Sequence, residues 1–218
     1  QGSVGPWAAR TAGSWGNALE VSICATSTAF EQNITTTNLV NGAGSSGDTT
    51  VTVDDVDDSS YGINVGDIVS FFTDSGFGTY ATNHVGQEYE VTARSTSDNT
   101  ITIRKKDDPN SGGLNGSLAD NSYIRRRWKY YDLFNAAPGT SAWATENNKG
   151  TADEMHVVVA DTTGEITGFS NAVASQRTTA VIETYDNLSK NPNAKTAQGS
   201  TNYYRSVINT QSQYVYWM

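Results

Sequence analysis

The chain has 218 residues, room for one large domain or two small ones. Its 36% hydrophobic and 10% aromatic content supports a packed core and excludes a disordered chain. A net charge of −9 opposes phosphate backbones and excludes a general nucleic-acid binder unless the few cations cluster.

Taken in chain order, residues 14–25 read as a turn feeding a strand. Gly16-Asn17 supplies the turn, and Leu19, Val21 and Ile23 alternate with polar neighbours. Cys24 is the one cysteine, which excludes an intrachain disulfide and a thiolate metal cluster. It lies in the apolar run Val21-Ser22-Ile23-Cys24-Ala25 and reads as a small buried hydrophobe instead of a nucleophile. Residues 41–48 are Gly- and Ser-rich and predict a flexible connector.

Residues 49–106 change character. Thr50 to Val53, Glu88 to Ala93 and Thr100 to Arg104 alternate, and Ser97-Asp98-Asn99 signals a turn between the last two. Val65-Gly66-Asp67-Ile68-Val69 adds a turn running into a further strand. Short strands with regular turns predict a small antiparallel barrel or sandwich. A second Gly/Ser/Asn stretch, Pro109 to Gly116, follows it, and linkers on both sides mark an inserted domain.

Beyond the insert, Met155 to Ala160 predicts a buried strand, Asp161-Thr162-Thr163-Gly164 a turn, and Glu165-Ile166-Thr167 a returning hairpin strand. Val181, Ile182, Tyr185 and Leu188 recur at helical spacing, with Asn191-Pro192 as the stop. Tyr203, Tyr204, Val207 and Ile208 predict a second helix, and 213–218 a final strand. That apolar end and the first residue, Gln1, read as a piece of a longer polypeptide.

Few chemistry-bearing residues fall in a pattern that defines a site. His84 and His156 have no His or Cys at metal-ligand spacing, and His156 in an apolar strand reads as structural. Asp54-Asp55-Val56-Asp57-Asp58 invites a calcium loop, but Ser60 and Gly66 stand where that loop needs Gly and Glu, leaving a solvated acidic turn. Gly112-Gly113-Leu114-Asn115-Gly116 lacks the Lys and the preceding apolar strand of a phosphate loop. The run Arg125-Arg126-Arg127-Trp128-Lys129 reads as strand side chains alternating toward Asp and Glu partners. The Trp and Tyr residues are dispersed, which favours core packing over a sugar-binding platform. No catalytic, cofactor-binding or metal-binding residue is singled out. No stretch reaches the roughly 18 apolar residues of a membrane-spanning helix, and no secretory signal is visible.

Several stretches carry a resemblance. Ala9-Arg10-Thr11-Ala12-Gly13-Ser14-Trp15-Gly16-Asn17-Ala18-Leu19-Glu20-Val21 resembles the "A-R-x-x-G-x-W-G-N-x-L-x-V" segment of contractile phage tail sheath proteins. Asp153 to Val159, continuing through Thr163 to Gly168, looks like their central strand pair. Glu183 to Lys190, Thr201 to Arg205 and Ser212 to Trp217 follow in the same order. The similarity is to the T-even-like myovirus group and spans roughly half of the chain, at its two ends.

The resemblance implies a structural, non-enzymatic subunit without cofactors. Its partners are other sheath subunits in hexameric rings, the tail tube and the baseplate, with no nucleic acid or membrane. The implied location is the virion tail, assembled in the host cytoplasm. The expected fold is α+β: a mixed core from residues 1–45 and 125–218, interrupted by a β-barrel or sandwich insert at 46–124. The alternative reading is a phage adhesin or carbohydrate-binding β module, marked by exposed Trp or Tyr in a groove of the insert.

Overall fold

The computed structural model describes residues 7–106, 108, 112–172 and 176–218. The fold is mixed and strand-rich, with antiparallel sheets. Contacts group the chain into two units, one of residues 1–30 with 132–218 and one of residues 31–131.

The unit of residues 1–30 and 132–218 is built on a three-stranded antiparallel sheet. Its strands are β2 (Leu19–Cys24), β9 (Glu154–Asp161) and β10 (Val181–Ser189), in the order β10-β9-β2. The central strand, β9, is buried from Met155 to Asp161, as its unbroken apolar run requires. Met155, Val157 and Val159 face a core shared with Leu188, with the helix α4 (Tyr204–Gln211), and with β11 (Val215–Trp217). In α4 the buried residues are Tyr204, Val207 and Ile208, the stripe read from sequence. The strand β11 pairs with β1 (Trp7–Ala9), and Trp7 meets Trp217 edge to face at 5.4 Å. Three short helices complete the unit, α1 (Ser14–Asn17), α2 (Ser27–Phe30) and α3 (Ala142–Glu146); α1 and α2 flank β2, so the expected turn at Gly16-Asn17 is a single helical turn.

Two expectations fail in this unit. Residues 181–188 form the strand β10 and not a helix. Bulges between Val181 and Glu183 and between Tyr185 and Leu188 break the two-residue alternation, so the apolar residues fall at spacings that imitate a helix. Residues 165–167 form a turn and not a hairpin strand. They wrap the carboxylate of Asp161, which accepts hydrogen bonds from the amides of Thr163, Gly164, Ile166 and Thr167 at 2.8–3.1 Å. A backbone spending its donors on one side chain has none left for a ladder.

The unit of residues 31–131 carries a six-stranded antiparallel sheet of order β3-β8-β5-β6-β7-β4. The strands are β3 (Glu31–Ile34), β4 (Thr50–Thr52), β5 (Ile68–Phe72), β6 (Tyr89–Ser95), β7 (Thr100–Lys105) and β8 (Tyr123–Arg127). Its bounds are wider than the expected 46–124, because β3 and β8 pair with this sheet. The strand order leaves an open sheet edged by β3 and β4, where the sequence predicts a barrel or sandwich. Beyond those edges, the Asn41 amide donates to the Thr52 carbonyl, the Asp54 amide to Leu39, and the Val40 amide to Ser122. Apolar side chains including Val53, Phe71, Tyr89, Val91, Ile101 and Ile124 fill one core.

The expected linkers are not loose. Leu114 and Asp48 bond through the Leu114 amide, Gly47 donates to the Leu114 carbonyl, and Gly44 pairs with Leu118. Gly113 has φ +99°, and a β-carbon there would meet the Gly47 carbonyl oxygen at 2.3 Å, so only glycine fits this approach. Residues 109–111 of the second linker lie outside the described residues. Among the described residues, no helix is long and apolar enough to cross a membrane.

Candidate functional site

The chemistry-bearing side chains noted in the sequence are mostly engaged in holding the fold. Cys24 is fully buried, with its thiol directed at the Thr26 carbonyl. In the acidic turn, Asp54 accepts from the Leu39 amide, Asp55 from Asp57, and Asp58 from Ser60 and Tyr61. Asp57 pairs with Arg94 at 2.8 Å. The hydrogen bonds from Ser60 and Tyr61 hold the Asp58 carboxyl below its usual range. No group of three or more His, Cys, Asp or Glu poised to hold a metal occurs among the described residues.

The arginine run alternates across β8 toward acidic partners. Arg126 faces Asp67 at 3.5 Å, while Arg127 reaches Glu31 at 2.6 Å and Glu88 at 2.7 Å, and Arg125 lies 3.9 Å from Glu31. Glu88 also accepts the Tyr131 hydroxyl and pairs with Lys106 at 3.0 Å. Burial favours its neutral form, but Tyr131, Lys106 and Arg127 outweigh this and hold the carboxyl below its usual range. Glu31 and Tyr131, the first and last residues of this unit, are thus joined through Arg127 and Glu88. Cations neutralised in this way offer little to a phosphate backbone.

His84 is buried between Phe71 and Tyr89. The Tyr89 hydroxyl accepts the Asn115 amide at 2.9 Å and shares a hydrogen bond of 2.8 Å with His84 Nδ1. His84 Nε2 has no partner in hydrogen-bond geometry. Burial pushes the imidazole pKa down, opposed in part by the nearby backbone of Gly116 and Ser117.

His156 is different, because it borders a recess. The recess measures about 300 Å³ and is lined by Leu133, Phe134, Asn135, Ala136, His156, Thr184, Asp186 and Asn187. The imidazole stacks on Phe134, with centroids 4.2 Å apart and planes 8° off parallel, and Phe30 meets it edge-on. Its Nδ1 accepts the Asn187 amide at 3.1 Å, so Nε2 carries the proton and donates to the Ala136 carbonyl at 2.9 Å. Both ring nitrogens are committed to these hydrogen bonds. The β10 bulge pushes Asp186 and Asn187 outward, and Asn187 takes φ 49°. The side chains of Asn135, Thr184 and Asp186 have no hydrogen-bond partner among the described residues. Sequence reading missed this site because it assigned residues 181–188 to a helix, and a bulge carries no strong sequence signal.

No protein-family model matches the chain, and no curated protein sequence matches it.

Proposed function

We propose that the chain is a non-catalytic structural segment of a contractile phage tail sheath subunit. One observation carries this reading: the stretches that resemble sheath proteins, far apart in sequence, fall together in one unit. The stretch 9–21 supplies the start of β2, 153–168 supplies β9 and its turn, and 183–190 most of β10. The stretches 201–205 and 212–217 supply the start of α4 and β11. Their co-assembly into one sheet and one core supports reading the resemblance as that of a single unit.

In this reading the partners are further sheath subunits in hexameric rings, the tail tube and the baseplate. The protein belongs to the virion and assembles in the host cytoplasm. Work is stored in subunit contacts, so no nucleotide, metal or catalytic group is required. The six-stranded unit is a small barrel decorating that subunit. The bonds that join residues 39–41 to residues 52–54 and to Ser122 support such a closure. The adhesin alternative has less support, because the large exposed hydrophobic residues described in this unit are the aliphatic Val65 and Val85.

The test is assembly of the full-length protein that contains this chain, viewed by negative-stain microscopy. Regular tubes are expected. Soluble monomers alone, under conditions that assemble sheaths, would overturn the reading.

A further inference from the structure

We propose that the recess beside His156 is a binding site for a neutral hexose ring, such as the terminal sugar of a glycan. Its volume of about 300 Å³ lies at the small end of the range for ligand pockets, roughly 300–1,000 Å³. Its chemistry selects the ligand class. Asp186 is the one charged side chain in the lining, and His156 is neutral because its Nδ1 accepts the Asn187 amide. An anion therefore finds a carboxylate and no compensating cation.

The remaining polar groups are the amides of Asn135 and Asn187 and the hydroxyl of Thr184. Amides and hydroxyls both donate and accept, as sugar hydroxyls do, and a carboxylate accepts from two adjacent hydroxyls at once. A single exposed carboxylate is a poor cage for a bare cation, which calls for several oxygen ligands. Phe134, stacked on His156, contributes with Leu133 and Ala136 the apolar part of the lining, against which the C–H groups of a pyranose can rest. The bulge holds this arrangement open: the Asn187 amide is tied to His156 and its carbonyl to the Asn202 side chain at 2.9 Å. Asp186 immediately precedes the residue that carries both ties. The site belongs to residues 132–218 and does not depend on the sheath reading.

The test is a titration of the protein with methyl glucopyranoside, methyl galactopyranoside and methyl mannopyranoside, followed by amide chemical shifts. At least one sugar is expected to give saturable shifts centred on Asn135, Asp186 and Asn187, with a Kd of about 1–10 mM. Asp186→Ala and Asn135→Ala, both at exposed positions, are each expected to weaken binding about tenfold. The corresponding uronate is expected to bind more weakly than its neutral parent. Absence of saturable shifts with all three sugars, shifts insensitive to both substitutions, or tighter binding of the uronate would each overturn the proposal.

Discussion

Asp161 organises the loop after β9 by spending one side chain on four backbone amides. Burial alone would raise its pKa, but the hydrogen bonds from Thr167, Ile166, Gly164 and Thr163 prevail and bring it to about 2. A carboxyl with a lowered folded-state pKa stabilises the fold above its unfolded value, near 3.8, and loses that contribution as pH falls toward about 2. Asp161→Ala strands those amides and is expected to cost about 2–4 kcal/mol by urea denaturation at neutral pH. The gap to the parent protein should narrow progressively below the unfolded carboxyl pKa. A gap unchanged by acid would show that the charge contributes nothing.

His84 sets the opposite chemistry at the same scale. Burial lowers its folded-state pKa below the usual 6.5, so the unfolded chain binds more protons between those two values. This contribution to stability is complete above the unfolded pKa and declines as pH falls through it. An imidazole proton titration by NMR is expected to give a His84 midpoint below about 6.5. A midpoint above that would contradict the buried, neutral assignment. The histidine was visible in sequence, but its enclosure was not. Its walls, Phe71, Tyr89 and the backbone at Gly116 and Ser117, are set by pairings and turns distributed over the unit.

At the scale of elements, β8 and β10 make a useful contrast. The alternation of Arg125, Arg126 and Arg127 was readable because an unbulged strand keeps a strict period of two. Arg127 is held firmly charged by Glu31 and Glu88 despite partial burial. Arg127→Ala leaves both carboxylates without that partner, and it is expected to cost about 1–3 kcal/mol. Chemical denaturation of the variant checks this, and a change below a few tenths of a kcal/mol would reduce the pairing to surface decoration. In β10 two bulges shift the phase, and Val181, Ile182, Tyr185 and Leu188 imitate a helix. Local spacing cannot reveal a bulge, because the bulge is defined by what the neighbouring strand β9 leaves unpaired. The recess at Asp186 and Asn187 was illegible for the same reason.

For the whole molecule, the two hydrophobic cores have no residue in common. Each unit therefore has its own source of cooperativity. Ile101 and Met155 are both fully buried, one in each core. Ile101→Ala and Met155→Ala are each expected to destabilise by about 2–5 kcal/mol. By scanning calorimetry each substitution should lower a different component of the melting profile. Equal displacement of a single transition by both would show that the units unfold together.

Composition and patterning alone determined that the chain packs a core, that its middle is a strand-rich insert, and that β9 and α4 exist. Those features rest on local periodicity and apolar content, which neighbours in sequence carry. Only the tertiary structure decided the ends of the insert, the pairing of the two glycine-rich stretches, the loop around Asp161 and the bulge that opens the recess. Each depends on hydrogen-bond partners brought together across the chain, and no local window contains both members of such a pair.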